Sequence, residues 1–181
     1  MNAEDSINQG LAVRRDETWD SISFALSFLG STEAIVGVYL LVSTVVFWRS
    51  RDWRLAVVPA MAILLQLGLY LTVTALVHRE RPSVERLEPM LPMSSYPSGH
   101  VGASTALYLA LLLMASRVER VGLRWTAAAV CVTVPLLVAF ARLYRGMHHA
   151  SDILVGMLAG GVCAVLAYGW YLRRTTSPSG H

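Results

Sequence analysis

The chain has 181 residues, of which 55% are hydrophobic and only 15% are charged, and this balance excludes an ordinary water-soluble globular domain. The net charge of +3 comes entirely from arginine, because the sequence contains no lysine. These arginines flank apolar segments instead of forming one basic face, so we expect no nucleic acid partner.

The N-terminal segment is polar at first and then amphipathic. Residues 1–18 mix both charges and are expected to form a flexible end, like residues 175–181. Across residues 19–29, apolar side chains recur at roughly helical spacing, which predicts a short helix lying in the membrane interface. The alternative is a sixth, imperfect span that begins near Trp19, but residues 19–48 are too short for two crossings.

Five apolar segments follow, and each approaches or reaches the roughly 20 residues that cross a hydrocarbon core. They are residues 34–48, 55–77, 101–116, 125–141 and 153–172. The first becomes long enough if its helix begins near Thr32, where Ser31 offers a capping side chain. The sequence therefore predicts an all-α, polytopic membrane helix bundle with five transmembrane helices plus one interfacial helix, folded as a single domain over residues 1–181.

Three arginine-rich loops predict how the bundle is oriented. They are residues 49–54, 117–124 and 173–174, and short loops of this kind stay on the cytoplasmic side. The C-terminus of this multi-pass protein is then cytoplasmic, and loops 77–100 and 142–151 lie together on the outer face of the cell membrane. These outer loops also carry arginines, to which we assign a chemical role.

A short polar segment stands directly before the third span and consists of Pro97, Ser98, Gly99 and His100. Pro97 suits a helix start, Ser98 can cap the helix, and Gly99 lets an anion approach the backbone. His100 then lies in the first turn, where a protonated imidazole can donate a proton to a leaving oxygen. The segment predicts a phosphate-binding helix N-terminus with a proton donor beside it.

Another polar cluster precedes the last span, where His148 and Asp152 are four residues apart. On a helical turn, the Asp152 carboxylate would accept a hydrogen bond from one imidazole nitrogen of His148 and leave the other free to attack. Arg142 and Arg81 offer planar, permanently charged groups that suit phosphate oxygens. We therefore interpret His148 as a nucleophile beside a bound phosphate.

Together these clusters resemble the signature of the type 2 phosphatidic acid phosphatase superfamily, which is Lys-x6-Arg-Pro, then Pro-Ser-Gly-His, then Ser-Arg-x5-His-x3-Asp. Arg81 and Pro82 match the first element, and residues 97–100 match the second. The third element is matched by Arg142, His148 and Asp152. The resemblance implies a six-helix core and a metal-independent phosphatase that uses no cofactor and forms a phosphohistidine intermediate.

The resemblance also implies a role for each matched residue. His148 would be the nucleophile, Asp152 its orienter, and His100 the general acid and later the base that activates water. The phosphate-binding residues would be Arg81, Ser98, Gly99 and Arg142.

Two positions depart from the family pattern. Thr74 stands where the family has its lysine, and Ala141 stands where the family has a serine before the arginine. Arg79 and Arg145 are the candidates for supplying the missing positive charge to the phosphate. If they do, the double variant Arg79→Ala, Arg145→Ala will lose phosphate affinity.

The expected partners are membrane lipids and a lipid phosphate or diphosphate substrate, because the site lies where a headgroup would sit with its chain between spans. The sequence does not distinguish polyprenyl diphosphate, phosphatidic acid and phosphatidylglycerol phosphate, and it leaves the oligomeric state open. Two alternatives to hydrolysis are a non-catalytic phospholipid-binding or transport protein, since arginines at helix ends can bind phosphate without cleaving it, and a vanadium-dependent haloperoxidase of the same superfamily.

Overall fold

The computed structural model describes residues 3–89 and 94–176, which fold into eight helices. Their bounds are α1 Ala3–Ala12, α2 Glu17–Phe28, α3 Thr32–Ser50, α4 Trp53–Ala56, α5 Val58–Leu76, α6 Gly99–Ala115, α7 Val121–Tyr144 and α8 Ala150–Thr176. The predicted all-α class is confirmed. Residues 177–181, part of the C-terminal end expected to be flexible, lie outside the described residues.

Within the described ranges, four stretches are long and apolar enough to cross a membrane. They are Thr32–Ser50, Trp53–Leu76, Val121–Tyr144 and Ala150–Thr175. The remaining predicted span, α6, is also apolar but has only 17 residues, which gives it a length of about 26 Å. The predicted membrane helix bundle is confirmed, and its five spans correspond to four long helices and one shorter helix.

The start of α3 follows the capping chemistry that the sequence indicates. Ser31 has an extended backbone, and its hydroxyl accepts a hydrogen bond from the Ala34 amide at 3.3 Å. One of the otherwise unpaired first-turn amides is thereby satisfied. The helix therefore begins at Thr32, as predicted.

Helix α6 lies at the centre of the bundle, in contact with α5, α7 and α8. It approaches α8 closely because two glycines meet at the crossing: a β-carbon on Gly160 would stand 2.3 Å from the Gly102 carbonyl oxygen. Small residues allow helices in membranes to pack backbone against backbone. Fully buried Ala106 and Ala164 continue the same packing. This crossing fixes the start of α6 relative to α8.

Helix α2 corresponds to the predicted interfacial helix. Its buried residues are Ser23 and Ser27, which bond to arginines of α7 and the α7–α8 loop. Phe24 and Phe28 point outward and are 59% and 52% exposed. An outward apolar face of this kind suits a helix that rests in the membrane interface.

Helix α1 lies in the N-terminal segment that was expected to be flexible. It contacts α7, and the side chain of Asn8 is fully buried. Arg15, in the connection to α2, donates hydrogen bonds to the backbone oxygens of Tyr144 and Glu85, both at 2.7 Å. Residues 3–15 are therefore attached to the same end of the bundle as the α7–α8 loop.

Loops that were predicted to lie on opposite sides of the membrane do lie at opposite ends of the bundle. At one end, Arg54 donates to the Arg174 carbonyl oxygen at 3.4 Å, and Arg117 donates to the Tyr168 hydroxyl at 3.1 Å. At the other end, the α5–α6 and α7–α8 loops meet beneath α1 and α2. The second end holds every candidate site residue.

Candidate active site

The loop between α7 and α8 carries His148. Gly146, with φ of 68°, takes a left-handed conformation that favours glycine, and a β-carbon there would stand 2.7 Å from the Val84 side chain. The chain leaves helical geometry at this turn, and α8 begins only at Ala150. The prediction that His148 and Asp152 share one helical turn is therefore wrong: His148 precedes the helix, and Asp152 lies in its first turn.

The imidazole of His148 is held by a backbone carbonyl. Its Nδ1 lies 2.7 Å from the Ser95 oxygen, whereas the nearest Asp152 oxygen is 3.9 Å away. Only the first distance is that of a hydrogen bond, so the predicted direct bond between His148 and Asp152 is replaced by one to Ser95. Because Nδ1 must donate its proton to a carbonyl, Nε2 is left with a lone pair.

Asp152 is connected to His148 through Ser95. Its Oδ2 accepts hydrogen bonds from the Ser95 hydroxyl and from the His149 amide, both at 2.8 Å, and its Oδ1 pairs with Arg79 at 2.6 Å. Asp152 and Ser95 are both fully buried. The carboxylate thus fixes the residue whose carbonyl orients the imidazole. Ser95 carried no motif signal and was missed by sequence reasoning.

The start of α6 joins this network from the other side. Ser98 is the residue before the helix, as predicted, and its amide donates to the Asp152 carbonyl oxygen at 3.0 Å. Its side chain makes no capping bond, and the buried hydroxyl has no hydrogen-bond partner in the described part of the chain. The first amides of α6 therefore lack a side-chain cap, which leaves a helix N-terminus suited to an anion.

The ring of Tyr70 lies over Gly99, where a β-carbon would approach it to 3.1 Å. The absence of a side chain at Gly99 makes room for this ring. His100 follows in the first turn of α6 and is partly buried. The segment of the second motif thus combines an uncapped helix start, a close aromatic contact and a partly exposed imidazole.

Cationic groups surround His148. Burial lowers the pKa of His148 well below its ordinary value, and the positive charges of Arg142 and Arg81 lower it further. Arg81 also donates to the Met147 carbonyl oxygen at 2.5 Å. The histidine is therefore neutral at neutral pH and stands beside charges that suit a phosphate. Across residues 3–89 and 94–176, no group of three or more His, Cys, Asp and Glu side chains is arranged to hold a metal ion.

Arg142 is fully buried at the end of α7. Its Nη1 donates to the Ser27 hydroxyl of α2 at 2.9 Å and to the Glu88 carboxylate at 2.6 Å. Glu88 is a site neighbour that none of the sequence motifs includes. Burial alone would raise its pKa, but the positive charge of Arg142 and then that of Arg145 lower it overall, so Glu88 is ionised between two arginines.

The two candidates for replacing the family lysine are each engaged by carboxylates. Arg79 pairs with Asp152 and with Glu4, both at 2.6 Å. Arg145, which is 4% exposed, pairs with Glu88 at 2.5 Å and donates to the Ser23 hydroxyl at 3.0 Å. The structure brings both to the site region, where Arg79 contacts Asp152 and Arg145 contacts Glu88. Their role as phosphate ligands stays a prediction.

Helix α1 contributes three contacts that sequence reasoning missed. The side-chain amide of Asn8 donates a hydrogen bond to the His148 carbonyl oxygen at 3.1 Å. Glu4 accepts from the Ser151 amide at 2.7 Å and pairs with Arg79. Glu4 and Asn8 are four residues apart, so they share one helix face. That spacing was the available signal, but it could not indicate which part of the chain this face contacts.

A cavity of about 250 Å³ opens beside the start of α6, between α3, α5 and α6. Its walls are mainly apolar, and Val36 and Leu67 at its edge are 43% and 45% exposed toward the surroundings of the bundle. Gly99 and His100, at the start of α6, are also among its lining residues. A lipid chain entering from the membrane between α3 and α5 would therefore reach the predicted phosphate site.

Comparison with known proteins adds the family. The chain matches the family model of the PAP2 superfamily over residues 60–176. It is 37% identical to human sphingosine-1-phosphate phosphatase 2 over 90 residues, which are 48% of this chain and 22% of that protein. The match thus spans less than a quarter of the curated relative's length.

Two crystal structures share the fold. The transmembrane PAP2 type phosphatidylglycerolphosphate phosphatase from Bacillus subtilis superposes with a TM-score of 0.87 at 17% identity, over 98% of this chain and 88% of that chain. LpxE from Aquifex aeolicus gives a TM-score of 0.69 at 21% identity, over 93% of this chain and 99% of that chain. With the family model covering more than half of its residues and this membrane helix bundle as its fold, the chain belongs to the PAP2 superfamily.

Proposed function

We propose that the protein is a metal-independent phosphatase that hydrolyses a lipid phosphate or diphosphate through a phosphohistidine at His148. The observation that carries the proposal is the state of His148: it is buried and neutral, and because its Nδ1 faces the Ser95 carbonyl, its Nε2 carries the lone pair. A neutral imidazole nitrogen with a lone pair is a nucleophile. The adjacent arginines would bind the phosphate under attack.

In the first half of the reaction, Nε2 of His148 attacks phosphorus as the bond from phosphorus to the lipid oxygen breaks. Arg81 and Arg142, with the first amides of α6, stabilise the charge on the three equatorial oxygens. His100 donates its proton to the departing oxygen, so the lipid leaves as an alcohol or, from a diphosphate, as a monophosphate.

In the second half, His100 is neutral and accepts a proton from water. The water oxygen attacks phosphorus, the phosphorus–nitrogen bond breaks, and inorganic phosphate leaves with His148 neutral again. The bond from Nδ1 to Ser95 persists through both halves, which keeps Nε2 aimed at phosphorus.

Membrane burial and the position of the cavity support a lipid as the substrate. The phosphate would bind at the end of the bundle, and the chain would leave between α3 and α5 into the membrane. Polyprenyl diphosphate, phosphatidic acid and phosphatidylglycerol phosphate all fit this description. The similarity to human sphingosine-1-phosphate phosphatase 2 adds a sphingoid phosphate to these candidates, and the similarity to a phosphatidylglycerolphosphate phosphatase agrees with the last of the three.

The arginine distribution supports a site on the extracytoplasmic face. The end of the bundle with residues 49–54, 117–124 and 173–174 would be cytoplasmic, together with the C-terminus. Cysteine labelling of whole cells at Arg86→Cys and at Arg124→Cys, in a background in which Cys131 and Cys163 are replaced by alanine, tests this orientation. Labelling of the first position alone by an impermeant reagent supports the proposal, and labelling of the second alone reverses it.

The activity is tested by measuring phosphate release in detergent from a panel of lipid phosphates. Wild type should release phosphate from at least one, and His148→Ala should lose roughly 10⁴-fold or more of this activity. His78→Ala, a change in an exposed histidine outside the site, is the matched control. Acid-labile phosphate trapped on His148 tests the covalent step.

Two outcomes would replace hydrolysis by another function. If wild type binds lipid phosphates but releases no inorganic phosphate from any of them, the non-catalytic binding or transport alternative is favoured. Halide oxidation by hydrogen peroxide after addition of vanadate, together with no phosphate release, would favour the haloperoxidase alternative. Phosphate release that survives His148→Ala would contradict the proposed nucleophile.

A further inference from the structure

Gln66 is a polar side chain in the middle of the apolar helix α5. It is 2% exposed, and its Nε2 has no hydrogen-bond partner among the described residues. A buried amide donor left unpaired costs about 1–3 kcal/mol. Polar side chains at such depth in a membrane are functional candidates, so the unpaired donor needs an explanation.

Helix α6 leaves room for the Gln66 amide. The amide packs against Gly102 of α6, where a β-carbon would stand only 2.1 Å from Nε2. A glycine in a helix interior costs up to about 1 kcal/mol relative to alanine. Gly102 therefore leaves space for the Gln66 amide nitrogen, although this nitrogen forms no hydrogen bond within the described part of the chain.

Gln66 lines the same cavity as Gly99 and His100. Gly102 is three residues beyond Gly99, which places the amide about 4.5 Å along the axis of α6 from the phosphate-binding helix start. A cavity of about 250 Å³ is smaller than the roughly 300–1,000 Å³ that encloses a drug-sized ligand. It therefore suits the part of a lipid that directly follows the phosphate.

We propose that Gln66 Nε2 donates a hydrogen bond to an oxygen in the linkage between the phosphate and the hydrocarbon chain. This inference rests on the proposed function and refines it. The substrate is then a lipid phosphate with an oxygen-bearing backbone, such as a glycerol ester or a hydroxylated sphingoid base.

In such lipids the linkage oxygens lie four to five bonds of about 1.5 Å each from phosphorus, so one of them can reach the level of the amide along α6. A polyprenyl monophosphate is hydrocarbon at that point and would leave the donor unpaired, whereas a polyprenyl diphosphate has the oxygens of its second phosphate there. Sites built around a polar group reject analogues that lack its partner. The cavity therefore disfavours polyprenyl monophosphates.

The test compares two lipids that share a phosphate and a 16-carbon chain. Lysophosphatidic acid with a palmitoyl chain has the glycerol ester, and hexadecyl phosphate does not. Wild type should prefer the first by roughly 5- to 150-fold in kcat/KM, the range that corresponds to a buried donor left unpaired. Gln66→Leu should reduce this ratio to near one.

Thr72→Val is the matched control, because it removes another polar group from α5. Thr72 is exposed, and its hydroxyl bonds to the Gly68 carbonyl oxygen of its own helix. The ratio should stay at its wild-type value in this variant. Since both lipids are measured on the same protein sample, partial unfolding of a variant cancels in the ratio.

Two further arms separate the possible failures. Sphingosine 1-phosphate carries a backbone hydroxyl but no ester. If Gln66→Leu lowers kcat/KM for this lipid, the hydroxyl is the acceptor. If Gln66→Leu lowers kcat/KM only for lysophosphatidic acid, the glycerol ester is the acceptor. Equilibrium binding of the two 16-carbon lipids to His148→Ala measures the preference without turnover. A wild-type-like ratio in Gln66→Leu overturns the role of Gln66, whereas absence of phosphate release with the binding preference intact overturns only the proposed hydrolysis.

Discussion

The two sides of the candidate site differ in how completely their polar atoms are paired. On the nucleophile side, His148 Nδ1 and both oxygens of Asp152 have close partners. On the substrate side, the Ser98 hydroxyl, the Gln66 amide nitrogen and the Thr74 hydroxyl are buried without a partner in the described part of the chain. The atoms that hold the His148 ring and the Asp152 carboxylate are therefore paired without a ligand, whereas these three substrate-side atoms are not.

This difference indicates a division of work. Groups that orient a nucleophile must be fixed before the substrate arrives, because small displacements of the attacking atom lower the rate strongly. Groups that recognise a substrate are satisfied only when it binds, and their unpaired state contributes to selectivity. Changes on the substrate side should therefore alter binding and lipid preference, and changes behind the nucleophile should alter kcat.

Apart from loss of the nucleophile itself, the largest expected effect comes from removing His100, in the first turn of α6. His100→Ala should lower kcat by roughly 10² to 10⁴-fold, because the departing lipid oxygen loses its proton donor. Steady-state phosphate release measures the effect. His78→Ala should remain at the wild-type rate, and a His100→Ala enzyme that keeps more than about a tenth of kcat would contradict the assignment.

The next effect concerns Arg145, which we expect to support structure more than to bind phosphate. Arg145→Ala would leave Glu88 without one of its two arginines and remove the bond to Ser23 of α2. Breaking a buried ion pair costs about 3–5 kcal/mol, so the Tm in detergent should fall clearly. Arg86→Ala, at an exposed position in the α5–α6 loop, should not change it.

The same variant examines the hypothesis that Arg145 replaces the family lysine. If it does, Arg145→Ala will weaken inhibition by inorganic phosphate and keep its Tm. Arg79→Ala gives the parallel measurement for the other candidate. Phosphate affinity that survives the double change would leave Thr74 without a replacement cation.

The sequence predicted the helices and the convergence of the three motifs better than it predicted the bonds among them. Apolar runs and arginine loops located the spans, because membrane crossing imposes length and composition. The bond between His148 and Asp152 was inferred from a four-residue spacing that holds only within a helix. Gly146, a glycine after the last turn of α7, was the signal that the helix ends there.

Contacts over long sequence separations account for what was missed. Asn8 and His148 are 140 residues apart, and Ser95 and Asp152 are 57 apart. Nothing in the local composition of residues 1–18 indicates that a helix there covers the α7–α8 loop. Such pairs depend on how the bundle is assembled, which periodicity does not specify.

A smaller effect tests the path from Asp152 to His148. Asp152→Asn should lower kcat by roughly 10- to 100-fold with little change in KM, as is usual when the support of a reacting group is altered. Ser95→Ala, which removes the hydroxyl but keeps the carbonyl, should lower kcat to a similar or lesser extent. Because the two residues act in series, the double variant should be no slower than Asp152→Asn, and fully multiplied losses would argue against the path.

The smallest effect is the pH dependence of the contact between α1 and α8. Hydrogen bonding from Ser151, together with the charge of Arg79, lowers the pKa of Glu4 to about 2 from 4.5. A carboxyl group with a lowered pKa in the folded state stabilises that state above the unfolded pKa and loses this contribution as pH falls. Glu4 should therefore stabilise the fold fully above pH 4.5, and progressively less toward pH 2.

Glu4→Gln should cost about 1 kcal/mol or less at pH 7, because the pair with Arg79 is partly exposed. Thermal unfolding of wild type and variant between pH 7 and pH 3 measures the difference, which should shrink below pH 4.5. Glu119→Gln, at an exposed position at the opposite end of the bundle, is the control. A Glu4→Gln difference that stays constant with pH would mean that α1 is held by Asn8 and Arg15 alone, and that the nucleophile side does not need the Glu4 carboxylate for its order.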